Sequence, residues 1–199
     1  MTNPAPKPDP TSPRMRSGLW LGIAFITLIF VAVGTYAAVN AWNRSARAQD
    51  DLLPVSDRKP ININLPTLDG KEWSLADHKG RIVLVNYFAT WCPPCKAEFV
   101  DLKKMLVDYG KKGVDFAAIS VDRDAARSRV AALRDFSADE HLPFPILLPA
   151  AESPLLRDDL MVPQTFLVDR QGRIALHLIG QLDPKNFRRS LDKLLAEAP

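Results

Sequence analysis

Two cysteines, Cys92 and Cys95, stand two prolines apart in the segment Trp91-Cys92-Pro93-Pro94-Cys95, and the chain has only these two. A disulfide is broken when a thiolate attacks one of its sulfurs, and a second nearby thiol can then resolve the mixed disulfide. A pair at this spacing suits that chemistry. Two cysteines are too few for a disulfide scaffold, and a bridge closing so small a loop would stabilise little. Four ligands would be wanted for zinc, and the three histidines, His78, His141 and His177, are scattered far from the pair. Each is read as a surface or sheet residue. A Cu(I) site would want a soft or imidazole ligand beside the thiols, and no Met or His adjoins them. Neither metal nor cofactor is therefore expected.

Placement decides which sulfur attacks. Cys92 follows the apolar run Ile82-Val83-Leu84-Val85 and sits where the next helix should begin. Backbone N–H groups are unpaired there and the helix dipole is positive, so a thiolate is favoured. Cys92 is the expected nucleophile, and Cys95, about one turn on, the resolving thiol. Pro93 and Pro94 suit early helical positions and stiffen the loop. They also remove N–H donors, so Cys92 is expected to be less acidic than in strongly oxidising dithiol proteins.

A second feature is Val162-Pro163-Gln164-Thr165, in which a proline immediately precedes an apparent strand. In the cis form Val162–Pro163 would bend the chain and leave the Val162 backbone to pair with an extended substrate. Most X-Pro bonds are trans, so the residues alone leave the isomer open.

The elements that must position these residues follow from periodicity and turn signals. Ile61–Leu65 and Glu72–Leu75 flank the turn Leu68-Asp69-Gly70-Lys71 and read as short strands. Arg81–Phe88 reads as a buried strand, and a helix is expected from Pro93 or Pro94 to Tyr109, ending near Gly110 and Gly113. Val114–Val121 is the next strand, Asp122–Phe136 a helix and Phe144–Leu148 a short extended piece. Thr165–Asp169 and Ile174–Ile179 flank Asp169-Arg170-Gln171-Gly172 as a hairpin. Asp183 should cap a last helix that starts at Pro184 and runs through Leu195. The alternation predicts an α/β fold with helices packed on a mixed sheet.

Ahead of this domain, residues 1–17 hold five prolines among polar neighbours and read as a disordered tail. No charged residue or histidine occurs from Ser17 to Asn43, and Leu19 to Val39 is almost wholly apolar, long enough as a helix for the ~30 Å hydrocarbon layer. A transmembrane helix over 18–42 is expected, with Trp20, Tyr36 and Trp42 at the interfaces. A cleaved signal peptide is the alternative, given Ala46-Arg47-Ala48, but the apolar region of such peptides is shorter. Residues 43–59 read as a linker and 60–199 as the globular domain. Basic residues flank both ends of the apolar stretch, so charge alone orients it weakly. Over 60–199 basic and acidic side chains balance, and the whole chain carries only +3. That gives no support for nucleic-acid binding, which wants a basic face.

The segment Val-Leu-Val-Asn-Tyr-Phe-Ala-Thr-Trp-Cys-Pro-Pro-Cys-Lys-Ala-Glu at 83–98, with Val-Pro-Gln-Thr-Phe-Leu-Val-Asp at 162–169, resembles the membrane-anchored TlpA/ResA/CcmG family of thioredoxin-like proteins. The resemblance covers about residues 60–197. It implies a thioredoxin fold with an extra N-terminal hairpin and an inserted helix-strand segment over Asp122–Leu148. It also implies a redox-active Cys92–Cys95 disulfide and a cis Pro163 facing it, with Trp91, Pro93, Pro94, Val162 and Pro163 forming the substrate-binding surface. Glu98 occupies the position of the family's glutamate, at i+3 from Cys95 on one helix face. As a third catalytic residue it would take the Cys95 proton; the alternative is an exposed helical Glu. Asn86 stands where thioredoxin itself has a buried aspartate and cannot ionise. Val162 stands where many relatives have Gly or Ile and is bulkier than Gly.

The resemblance further implies a thiol–disulfide oxidoreductase at the bacterial inner membrane, its catalytic domain on the periplasmic side. A membrane electron donor would keep it reduced, and its partners would be apocytochrome c or copper-assembly factors. An oxidase or isomerase uses the same motif, because direction follows reduction potential. Thiol peroxidases of related fold carry Thr-x-x-Cys, whereas Thr90 here lies only two residues before Cys92.

Overall fold

The computed structural model describes residues 22–39, 51–123, 126–150, 153 and 160–198. The chain divides into two units, residues 1–46 and 47–199. In the first, α1 (Gly22–Val39) is a helix of 18 residues, long and apolar enough to cross a membrane. The tail over 1–17, the ends of the expected span and residues 43–50 of the linker lie outside the described residues.

In the second unit, β1 (Asn64–Pro66) and β2 (Glu72–Ser74) form an antiparallel hairpin. Its turn is closed by bonds of 2.8 Å from the Thr67 N–H to the Lys71 carbonyl and 2.9 Å from the Gly70 N–H to the Thr67 carbonyl. The first strand is shorter than expected, because the Ile61 N–H pairs with Gly172 O at 3.0 Å rather than across the hairpin. The second stops at Ser74, whose hydroxyl accepts from the Ala76 N–H and starts a short 3-10 turn over Leu75–His78.

The central sheet has five strands: β3 (Ile82–Phe88), β4 (Val114–Ser120), β5 (Ile146–Leu147), β6 (Gln164–Val168) and β7 (Ile174–Ile179). Their order is β5-β4-β3-β6-β7, with β3, β4 and β5 parallel and β6 and β7 antiparallel to their neighbours. Every residue of β3 is buried, as a strand covered on both faces should be. The expected strand over Phe144–Leu148 is reduced to two residues, since Pro145 and Pro149 have no N–H for a ladder.

Helices α2 (Pro93–Tyr109), α3 (Ala126–Asp139) and α4 (Pro184–Ala196) complete the unit. Asp183 caps α4 through 2.9 Å bonds from the Lys185 and Asn186 N–H groups, with Pro184 following it. Helix α3 starts later than Asp122, because that carboxylate is committed elsewhere. It accepts from the Thr90 N–H at 3.1 Å, the Thr90 hydroxyl at 2.8 Å and the Ser120 hydroxyl at 2.9 Å. A ring cluster of Phe88, Phe99, Phe136 and Phe144, with centroids 5.1 to 6.1 Å apart, packs α2 and α3 against the end of β3. The five-stranded sheet with its helices, the added hairpin and the helix-strand insertion together are the thioredoxin fold expected.

Residues 51–59, within the stretch read as a linker, are packed onto the domain. The Leu53 N–H donates to Ala175 O at 2.8 Å, and the Ile174 N–H to Lys59 O at 2.9 Å, so the segment straps the outer edge of β7. Arg58, buried, donates through both terminal nitrogens to Glu197 at 2.6 Å and reaches Asp169 at 3.4 Å.

Candidate redox site

The register of the sheet brings the two sequence motifs to one end. In β3 and β6, Tyr87 pairs with Gln164 and Asn86 with Thr165, so the chain leaves β3 toward the cysteines where Pro163 enters β6. The Val162–Pro163 peptide is cis. Pro163 O accepts from Gly180 N–H at 2.9 Å, a glycine with φ of 91° that lets β7 close beneath the bend. Val162 makes no hydrogen bond among the described residues. The preceding Met161 is exposed, and its carbonyl is held by the Gln164 side-chain amide at 2.7 Å. That amide in turn pairs with His177 Nε2 at 2.8 Å, and the imidazole stacks on Phe166.

Cys92 is the N-cap of α2 and is joined to Cys95 in a disulfide, with Cα atoms 5.4 Å apart. Prolines at N1 and N2 leave the Cys95 N–H to serve the cap, and it donates to Cys92 Sγ at 3.2 Å. Both cysteines are buried, while Trp91 beside them is 69% exposed. The turn that carries them is held from below by the bonds from Thr90 to Asp122.

Glu98 is not an exposed helical residue: it is 1% exposed. Its Oε1 accepts from the Thr165 hydroxyl at 3.0 Å, and Thr165 Oγ1 accepts from Asn86 Nδ2 at 2.9 Å. Neither Glu98 Oε2 nor Asn86 Oδ1 has a partner among the described residues. Burial pushes the Glu98 carboxyl up to about 7, although the Thr165 hydroxyl and the Leu182 N–H favour the charged form.

The site thus gathers Trp91, Cys92, Pro93, Pro94, Cys95 and Glu98 on one helix start, and Val162 and Pro163 at the adjoining strand end. Sequence reasoning missed Thr165 and Asp122. Alternation along β6 puts Thr165 on the same face as Pro163, which is the signal that could have found it. Asp122, directly after a strand, carries no local signal beyond that of a helix start.

Residues 56–177 match the AhpC/TSA family. The chain is 31% identical to the thioredoxin-like protein YneN of Bacillus subtilis over 131 residues, covering 66% of this chain and 75% of YneN. It is 27% identical to the thiol-disulfide oxidoreductase ResA of Geobacillus thermodenitrificans, covering 65% of this chain and 72% of ResA. A solved DsbF homologue from Corynebacterium diphtheriae superposes with a TM-score of 0.61 at 26% identity, over 72% of this chain and 91% of that one. By sequence, by fold and by where its cysteine pair stands, the chain belongs to the AhpC/TSA family, among its thioredoxin-like thiol–disulfide oxidoreductases.

Proposed function

We propose that the protein is a membrane-anchored reductase of selected protein disulfides on the extracytoplasmic side of the bacterial inner membrane. The observation that carries the chemistry is the asymmetry of the dithiol. Cys92 caps the helix with an N–H on its sulfur, and Cys95 follows within the helix, three residues before a buried carboxylate.

The reduced Cys92 thiolate attacks one sulfur of a substrate disulfide, forming a mixed disulfide and releasing the first substrate thiolate. Cys95 then loses its proton to Glu98 and attacks Cys92 Sγ. The second substrate thiolate leaves, two electrons have passed to the substrate, and the Cys92–Cys95 disulfide remains. An extended substrate pairs with the Val162 backbone ahead of cis Pro163 and rests on exposed Trp91 and Met161. Val162, bulkier than Gly, narrows the choice of substrate.

The reductive direction follows from setting. In an oxidising compartment disulfides already form, and a dithiol whose cap loses two N–H groups to prolines holds its thiolate less strongly, which suits a reductant. Helix α1 supplies the anchor and a membrane electron donor renews the dithiol. The substrates are the haem-binding cysteines of apocytochrome c or the copper-site cysteines of an assembly factor. The peroxidase chemistry found in related folds is disfavoured by Thr90, whose hydroxyl hydrogen is committed to Asp122.

Replacing Cys95 with Ser tests this directly. Substrates should accumulate as mixed disulfides on Cys92, and mass spectrometry should identify c-type apocytochromes or copper-assembly proteins among them. The absence of any adduct, with stoichiometric copper on the unmodified protein, would overturn the reading.

A further inference from the structure

Behind the cysteines, three uncharged or neutralisable groups are stacked out of solvent: Asn86 on β3, Thr165 on β6 and Glu98 on α2 are all 1% exposed or less. Their hydrogen bonds run in one direction. Asn86 Nδ2 lies 3.5 Å from Gln164 O, a carbonyl that can only accept, so the amide nitrogen and not the oxygen faces β6. The same nitrogen therefore donates to Thr165 Oγ1 at 2.9 Å. A hydroxyl has one hydrogen, and with Asn86 as its donor, Thr165 sends that hydrogen to Glu98 Oε1 at 3.0 Å. In this arrangement Oε1 is an acceptor. The other oxygen, Oε2, is buried and without a partner among the described residues.

We infer that Thr165, oriented by Asn86, is a positioning residue that reserves Glu98 Oε1 and leaves Oε2 as the atom that gains and loses the proton during resolution. This rests on the role proposed for Glu98 and names what controls it. A proton entering on Oε1 would need the Thr165 hydroxyl to turn away, and it would then meet the Asn86 donor. A proton on Oε2 disturbs neither bond, so the carboxyl can change charge without rearranging the chain of hydrogen bonds. That is the preorganisation a proton acceptor wants.

Few other groups compete for control. On the same helix, Cys95 lies three residues before Glu98 and Asp101 three after, and Asp101 favours the neutral form. Strands β3 and β6 contribute the uncharged Asn86 and Thr165. The Leu182 N–H in the loop before α4 favours the charged form but forms no hydrogen bond to Oε2, while the neighbouring Asp183 is exposed and turned to its capping bonds.

The test uses the full-length protein in detergent, with carbon-13 in its glutamate carboxyls and the Glu98 signal assigned by Glu98→Gln. In the oxidised protein, Thr165→Val should raise the Glu98 titration midpoint by about half a pH unit or more, since a donor to the charged form is lost. Thr165→Ser should restore it. Asn86→Ala, which frees the hydroxyl to rotate, should shift it less and in the same direction, and it carries the test should the valine variant not fold. An unchanged midpoint in Thr165→Val and Asn86→Ala overturns the inference. The rate of Cys95 attack is followed separately, with a fluorophore-quenched peptide disulfide as substrate. Its pH profile should move with the midpoint in Thr165→Val and be indifferent to Thr165 in a Glu98→Gln background. A moved midpoint with an unmoved rate profile keeps the Thr165 assignment and overturns the proton role of Glu98 instead.

Discussion

Two buried carboxylates at opposite ends of the central sheet face the same physical problem and solve it differently. Asp169, at the end of β6 away from the cysteines, is enclosed by donors. It accepts from the Arg173 and Gln171 N–H groups at 2.9 and 3.0 Å and from Arg173 Nε at 2.9 Å, with Arg58 3.4 Å away. Burial alone would raise its carboxyl, but the Arg173 backbone and guanidinium outweigh it and hold it below the ordinary range. Glu98, beside the dithiol, has one hydroxyl on Oε1, no hydrogen bond on Oε2 among the described residues and only the weaker influence of the Leu182 N–H, and burial leaves it near 7. A charge that is fully paired can serve only as structure. One left half-satisfied is costly to ionise, and that cost is what makes it able to exchange a proton near neutral pH.

The comparison would break at its structural end if Arg58 could be removed cheaply. Arg58 is the buried centre of the clasp that straps residues 51–59 to the last helix through Glu197. Arg58→Ala should cost about 4 kcal/mol, because its charge-assisted bonds to Glu197 and Asp169 are lost together and its buried packing space is emptied. Chemical denaturation of the full chain measures this. The exchange rate per folded molecule should be unchanged, and a slowed rate would mean that the two ends are coupled.

The two ends also differ in how well they could be read from residue order. The dithiol, the helix start, the cap Asp183 and the strand β3 are local: each is announced by residue types within a few positions, and all appear where the sequence puts them. The spacing of Glu98 from Cys95 put the two on one helix face but left its burial open, because i+3 periodicity does not say what packs over that face. The clasp was not legible. Arg58 meets Asp169 and Glu197 across 111 and 139 residues, and no local period marks such a contact, so 51–59 read as a linker. Thr90 and Asp122, 32 residues apart, escaped for the same reason. The cis form of Val162–Pro163 lay between these cases, since the residues left it open and only the resemblance favoured it.

At the Glu98 end, the difference between the two carboxylates predicts a pH slope. In the unfolded chain a glutamate titrates near its ordinary 4.5, and in the folded protein Glu98 titrates near 7. Between these values the native state holds the proton that the unfolded state has released, so stability falls as pH rises through the window. The loss approaches about 3 kcal/mol once pH exceeds 7. Glu98→Gln should abolish this slope. Relative to the unmodified protein it should gain stability progressively from pH 4.5 to 7.5, while its resolution step slows by about 100-fold. Parallel stability curves for the two proteins would show that Glu98 is ionised in both states.

The smallest effect belongs to Glu197, and it has the opposite sign with pH. Arg58 beside it holds this carboxyl below its ordinary 4.5, against a lesser opposing effect of burial. A depressed carboxyl contributes stability that is full above the unfolded value and is lost as pH falls through the folded one. Its side chain is 33% exposed, so water screens the pair and the contribution is modest despite bonds of 2.6 Å. Glu197→Gln should therefore cost about 1 kcal/mol at pH 7, and the difference should be lost as pH falls through the depressed range in which the native carboxyl takes up its proton. Combined with Arg58→Ala it should cost almost nothing more, because the arginine it served is gone. Full additivity of the two substitutions would mean that Glu197 holds the C-terminal helix by some contact other than Arg58, and the clasp would then be two independent attachments.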